Sequence, residues 1–170
     1  MMYVSNNLIG TRRNDLEIEN VECLWVELKL STRTVLVSVW YRPPISHGCV
    51  PQQAEGFIDN LQNSLDLALS QNVECILMTG DFNDRCCDWN DSHSSSELKQ
   101  KLVDFVNSNN LFQLVSEPTR YTDTAANLLD LIITDSPGYV SEVQVHSPIS
   151  NLDHCSISCK LSVTVTKDNP

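Results

Sequence analysis

The sequence predicts an α/β fold, a sandwich of sheets packed together with helices outside. Two observations lead there. Short apolar or alternating runs dominate the chain, and only two segments carry helical spacing, in the order strands, helix, strand, helix, strands, with no repeat and no low-complexity linker. The 170 residues are enough for one domain with a real core.

Met1-Met2-Tyr3-Val4-Ser5 reads as the close of a strand. Leu24, Val26, Leu28 and Leu30 alternate with Trp25, Glu27 and Lys29, the period of a strand with two unlike faces. Thr34 to Trp40 and Glu74 to Thr79 are β-rich and more continuously apolar, as in strands covered on both sides. Between them, Phe57, Ile58, Leu61, Leu65, Ala68 and Leu69 line one face of a helix beginning near Pro51. A second helix follows Ser94, whose Glu97 three residues on makes a capping box, with Leu98, Leu102, Phe105 and Val106 on its apolar face. Leu128 to Thr134, Val140 to Val145 and Ser156 to Val165 complete the strands.

Composition bounds the function. The 41% hydrophobic content suits a globular protein, and no run approaches the ~18 apolar residues of a membrane helix. Ser5-Asn6-Asn7 follows the first residues at once, so no signal peptide is visible, and the chain reads as intracellular, nuclear or cytoplasmic, or as a piece of something larger. Seven cysteines without CxxC spacing read as reduced thiols. A net charge of −11 argues against gripping nucleic acid by bulk electrostatics. An acidic site that recruits Mg²⁺ inverts the local sign, however, so an enzyme acting on nucleic acid stays open.

Three loops at strand ends collect the polar residues: Tyr41-Arg42-Pro43-Pro44, Asp81 to Asp91, and Ser147 to His154. In Thr79-Gly80-Asp81-Phe82-Asn83, extended alternation would point Asp81 and Asn83 to one side and Phe82 to the other. Asp81 can accept a proton, and Asn83 can hold a water or a phosphate oxygen; an Asx turn that merely closes the strand explains the same residues. His154, beside Asp153, can donate to a phosphate oxygen if Asp130 or Asp153 holds its charge, or can be a solvated His in a capped loop. Asp130 stands inside the apolar run Leu128 to Thr134, where a carboxylate requires a function or a specific partner. His47, His93 and His146 have no such context.

Taken in order, these blocks resemble the endonuclease/exonuclease/phosphatase superfamily, and within it the apurinic-type endonuclease domain of non-LTR retrotransposons. The resemblance rests on Tyr41-Arg42-Pro43-Pro44, on Gly80-Asp81-Phe82-Asn83 with Trp89, on Glu117-Pro118-Thr119-Arg120, on Leu129 to Thr134, and on Asp153-His154-Cys155-Ser156-Ile157. It implies a four-layer α/β sandwich of the DNase I-like type over residues 1–165, with 166–170 a tail, and metal-dependent hydrolysis of a phosphodiester in DNA. By resemblance, Asp81 would orient or deprotonate the attacking water, with Asn83 and Tyr41 placing the phosphate. His154 would stabilise the phosphorane oxygens, oriented by Asp130, and Asp153 would assist Mg²⁺ (or Mn²⁺) or the water. Arg42, Thr119 and Arg120 would contact the nucleic acid, although a core-packing loop explains Thr119 and Arg120 as well. A reverse transcriptase fused in the parent element is the implied partner, and no membrane is involved.

The chain departs from the family at its front, where an Asn-bearing strand and the strand with the principal Mg²⁺-binding Glu are expected and not found. Glu17, Glu19, Glu22 and Glu27 come too late in the order to replace that ligand. Leu152 stands where the family carries Ser or Thr. The sequence therefore predicts this fold without its first strands and an endonuclease impaired by truncation, or alternatively a non-catalytic remnant or interaction module. A change of substrate to a phosphoinositide, sphingomyelin or an RNA tail would keep the fold, against the indication of the third and fourth blocks.

Overall fold

The computed structural model describes residues 1–30, 33–44, 52–84, 97–150 and 152–162, and of 52–55 and 97 the backbone alone. His47, Cys49, Pro51, Cys86, Cys87, Trp89, Asp91, His93, the capping box of Ser94 and Glu97, and the tail from 163 lie outside that description.

Six strands form the main sheet in the order β1-β2-β3-β4-β8-β5. These are β1 (Ile9–Arg12), β2 (Cys23–Leu30), β3 (Arg33–Tyr41), β4 (Cys75–Asp81), β5 (Phe112–Gln113) and β8 (Asp130–Thr134). Only β3 and β4 run parallel, joined by the crossover through α1 (Gln52–Leu69); the other pairs are antiparallel. Short strands β6 (Arg120–Thr122) and β7 (Ala125–Asn127) form a hairpin, and β9 (Val140–His146) pairs with β10 (Ser156–Leu161). The edge strand β1 and the strands β5, β6 and β7 are too short or too polar to register as periodic runs. Residues 1–5 are not a strand; Met2 and Val4 are half-buried, and Val4 lies against Gly10 of β1.

Register explains the two faces. Trp25, Ser38, Met78 and Ile133 fall in one row across β2, β3, β4 and β8, all fully buried. α1 covers this face, where the Trp25 indole N–H donates to the Ser64 hydroxyl at 2.8 Å. Trp25 is thus the residue that its neighbours Glu27 and Lys29 disguised: β2 buries an aromatic on the helix side. Leu61, Leu65 and Ala68 of α1 join Leu98, Leu102, Phe105 and Val106 of α2 (Glu97–Ser108) in the same core. Leu69, expected on the buried face, sits at the last position of α1 and is 46% exposed.

Val37, Leu77 and Thr134 belong to the opposite face. Val140, Val143, Val145, Ile157 and Cys159 of the β9–β10 layer add partly buried side chains to the core. Helices, main sheet and second sheet make three layers among the described residues. Cys75 is buried and Cys23, Cys155 and Cys159 half-buried, all as free thiols. No helix among the described residues is long and apolar enough to cross a membrane.

Gly80 fixes the exit of β4. Its φ of +141° is a region that L side chains rarely adopt, and a Cβ there would stand 1.9 Å from the Trp40 carbonyl oxygen of the neighbouring strand. Gly80→Ala is expected to destabilise the fold by about 3 kcal/mol through backbone strain and overlap. Gly56→Ala, in α1 with open space around it, should instead gain about 0.5–1 kcal/mol from helix propensity. Urea denaturation of the two variants checks both signs; a neutral Gly80→Ala would show that β3 and β4 separate at little cost.

Candidate active site

Strand β4 delivers Asp81 as its last residue, and its neighbours deliver their own ends beside it. Tyr41 of β3 is in register with Asp81, and Asp81 with Asp130 of β8. Register partners on adjacent strands share a face, so three side chains stand in a row on the face away from the helices. Tyr41 is 39% exposed, whereas Asp81 and Asp130 are half-buried.

The chain does not stay extended past Asp81. Asn83 has φ +49°, and its backbone N–H donates to Asp81 Oδ1 at 2.9 Å, an Asx turn. The turn reading of this motif is the one seen: in place of extended alternation, the Asx turn that closes the strand brings Asn83 onto Asp81. The Asn83 amide nitrogen donates to Asp81 Oδ2 at 3.1 Å and to the Arg42 carbonyl at 2.8 Å. Those two donors hold Asp81 and the β3 end, and Oδ1 is the amide's remaining polar atom. Phe82 points the other way and is 1% exposed, with its ring edge-on to Phe57 of α1 at 5.9 Å.

Asp130 is held as tightly. Its Oδ2 accepts from the Thr119 hydroxyl at 2.6 Å and bonds His154 Nδ1 at 3.0 Å. Thr119 Oγ1 in turn accepts the N–H groups of Leu129 and Asp130 at 3.0 and 2.9 Å, so the hydroxyl is fully engaged. The partner that an acid in an apolar strand demanded is thus found twice over. Ligand atoms of Asp81, Asp130 and His154 lie within 4.8 Å of one another. Burial, and then the nearby Asp130 charge, push the Asp81 carboxyl above its ordinary range.

Three sequence expectations need correction. Thr119 is fully buried with its hydroxyl spent on Asp130, so it braces the site and does not reach nucleic acid. Arg42 is only 6% exposed, and burial lowers its pKa; its backbone N–H donates to the Asp81 carbonyl at 2.9 Å. It supports the turn from inside. Asp153 does not join the cluster: its Oδ2 accepts from Arg120 Nε at 2.7 Å, which holds its carboxyl below the usual range. Leu152 is 65% exposed, and His146 is exposed and bonded to the Ser158 hydroxyl. What sequence reasoning missed is the bracing role of Thr119, whose one signal was a Thr placed shortly before an acid that needed a donor.

A hard divalent cation is taken by oxygen donors, commonly one or two carboxylates with water and phosphate completing the shell. Asp81 and Asp130 fit that requirement, with Asp130 contributing Oδ1 because Oδ2 is already shared.

Comparison with known proteins bears on the fold and the family. The fold is similar to that of the endonuclease domain of TRAS1, a telomere-specific non-LTR retrotransposon, at TM-score 0.75 and 14% identity over 95% of this chain and 72% of that one. It is also similar to beta toxin from Staphylococcus aureus, at TM-score 0.60 and 11% identity over 84% of this chain and 58% of the toxin. The 3′ phosphatase NExo from Neisseria matches at TM-score 0.55 and 12% identity, over 94% of this chain and 72% of that one. At such identities the likeness is one of fold, the DNase I-like α/β architecture. No curated protein matches the sequence. The match to the family described as endonuclease-reverse transcriptase spans residues 35–158 and takes in Tyr41, Asp81, Asn83, Thr119, Asp130 and His154. The chain belongs to the endonuclease-reverse transcriptase family.

Proposed function

We propose that this chain cuts DNA by metal-dependent hydrolysis of a phosphodiester, as the endonuclease part of a retroelement protein that also carries a reverse transcriptase. The observation that carries this reading is the convergence of Asp81, Asp130 and His154 at the ends of neighbouring elements. Membership of a nuclease family supports the reaction class.

In this reading Asp81 takes the proton of the attacking water. Its two hydrogen bonds from Asn83 orient the carboxylate. Burial holds its carboxyl above the ordinary aspartate range until a cation binds beside it. His154 uses Nδ1 on Asp130, which fixes the ring and leaves Nε2 for an oxygen of the phosphate. Thr119 keeps Asp130 in place, and Tyr41, in the same row as Asp81, borders the phosphate. Asp81 and Asp130 would hold Mg²⁺ or Mn²⁺. When bound, the ion supplies positive charge to the phosphate oxygens and lowers the pKa of water. With one Asp130 oxygen already shared by two donors, the hold on the ion is weak.

Purified chain with Mg²⁺ or Mn²⁺ should nick supercoiled plasmid, and Asp81→Ala should lower the rate by about 100-fold or more. Nicking equal in chain and variant at every metal concentration would sink this reading. Thr119→Val keeps the shape but strands two buried N–H groups, and should slow cleavage about 10–100-fold, whereas Thr119→Ser should restore most of it.

Asp81 also makes stability depend on pH. Its folded-state pKa lies above the unfolded value near 3.8, so the ionised form is disfavoured by folding. That penalty is absent below the unfolded pKa and grows as pH rises through the folded one. The melting temperature of Asp81→Asn relative to the native chain should therefore shift in the variant's favour between acid and neutral pH. Calorimetry across that window reads it, and a pH-independent difference would contradict the assigned burial.

A further inference from the structure

The Arg120–Asp153 ion pair lies at the rim, one residue away from each brace of the site. Arg120 follows Thr119, and Asp153 precedes His154. The two segments are tied by short antiparallel pairing: Arg120 and His154 form a bridge, the Tyr121 N–H donates to the Asp153 carbonyl at 3.0 Å, and the Cys155 N–H donates to the Thr119 carbonyl at 2.7 Å. On this mount Arg120 Nε donates to Asp153 Oδ2 at 2.7 Å. Among the described residues neither Nη of Arg120 makes a hydrogen bond, and the Arg120 side chain is 30% exposed.

We infer that Asp153 is a positioning residue for Arg120, holding the guanidinium by Nε so that its two Nη groups form a fork for a backbone phosphate of the nucleic acid. This assigns Asp153 to substrate binding in place of the metal, and it rests on the proposed DNA substrate. Three arguments support it. The Asp153 carboxylate is committed to a cation of the chain itself and lies outside the Asp81, Asp130 and His154 group. A guanidinium fork matches two phosphate oxygens in a way that no ammonium does. Arginine is rich in rotamers, so fixing one of its nitrogens beforehand removes part of the ordering cost of binding. In a chain of net charge −11, the placement of each cation near the site matters more than their number.

The carboxylate also repels an approaching phosphate, which separates two kinds of variant. Asp153→Asn keeps an oxygen that accepts the Nε–H while removing the charge; Asp153→Ala removes both. Binding of a short fluorescein-labelled DNA duplex in EDTA, followed by anisotropy over a salt series, needs neither metal nor cleavage. Arg120→Ala should weaken binding about five-fold and reduce the slope of log affinity against log salt by about one. Asp153→Ala should weaken binding by a similar factor, Asp153→Asn should stay within about two-fold of the native chain, and the double variant Arg120→Ala/Asp153→Ala should bind no worse than Arg120→Ala alone. In the nicking assay, the Mg²⁺ concentration for half-maximal rate should be unchanged by Asp153→Asn. Native affinity in Asp153→Ala, full additivity in the double variant, or a raised Mg²⁺ requirement in Asp153→Asn would each overturn the inference. A chain that binds DNA with this pattern but does not nick would overturn the proposed activity and leave the inference standing. A chain that binds no DNA overturns both.

Discussion

Because β4 is hydrogen-bonded parallel to β3 on one side and antiparallel to β8 on the other, Tyr41, Asp81 and Asp130 fall in a single row. A slip of one residue in either pairing would turn one of these side chains toward the helices. The core holds the register. Ser38, Met78 and Ile133, an inward row of the same three strands, are fully buried, and a slip would expose them or drive polar neighbours into their place. Gly80 adds a steric lock, since its backbone approaches Trp40 more closely than any side chain would allow. The geometry of the candidate site thus follows from burial on the opposite side of the sheet.

Two half-buried carboxylates side by side are an electrostatic burden that the surroundings reduce but do not remove. Asp130 accepts from Thr119 and binds His154; Asp81 accepts two donors from Asn83. Each acid therefore has specific partners, as polar groups withdrawn from water require. What is left over is the repulsion that, together with burial, raises the Asp81 pKa. A divalent cation between the two acids would relieve it.

How much of this was legible in the sequence depends on whether the controlling interaction is local. β2, β3, β4, β9 and both helices follow from periodicity, because an exposed strand face or helix face is written in neighbouring residues. Trp25 escaped that reading, since Glu27 and Lys29 share its side of the alternation and make that face look solvent-exposed, while the aromatic is enclosed by packing against α1. The turn at Asn83 was legible as turn chemistry, but its union with Asp81 into one constellation depends on a left-handed φ that no periodicity displays. The nucleic-acid contact expected of Arg42, and the same one of the two readings of Thr119, failed for a single reason, whereas the core-packing reading of Thr119 fits its burial. A hydroxyl or guanidinium near a candidate site looks available to substrate until long-range packing reveals that it is enclosed, and Thr119 is bonded through its hydroxyl to Asp130 and through its carbonyl to the Cys155 N–H. The β6–β7 hairpin, three residues a strand, lay below the length at which alternation is readable.

Solved structures that share this fold at 11–14% identity include a retrotransposon endonuclease domain, a bacterial toxin and a 3′ phosphatase, so the sandwich alone does not select a substrate. Around the Asp81, Asp130 and His154 group, the rim is coupled to the centre by the geometry of an extended chain. Successive residues of such a segment point to opposite sides. Thr119 therefore faces inward to Asp130 while Arg120 faces outward, and on the paired segment Asp153 turns to Arg120 while His154 turns to Asp130. The same short pairing aligns both sets. A substitution that tilted it to move the outward pair would displace the inward pair as well, so the two pairs shift together or change by side-chain exchange alone.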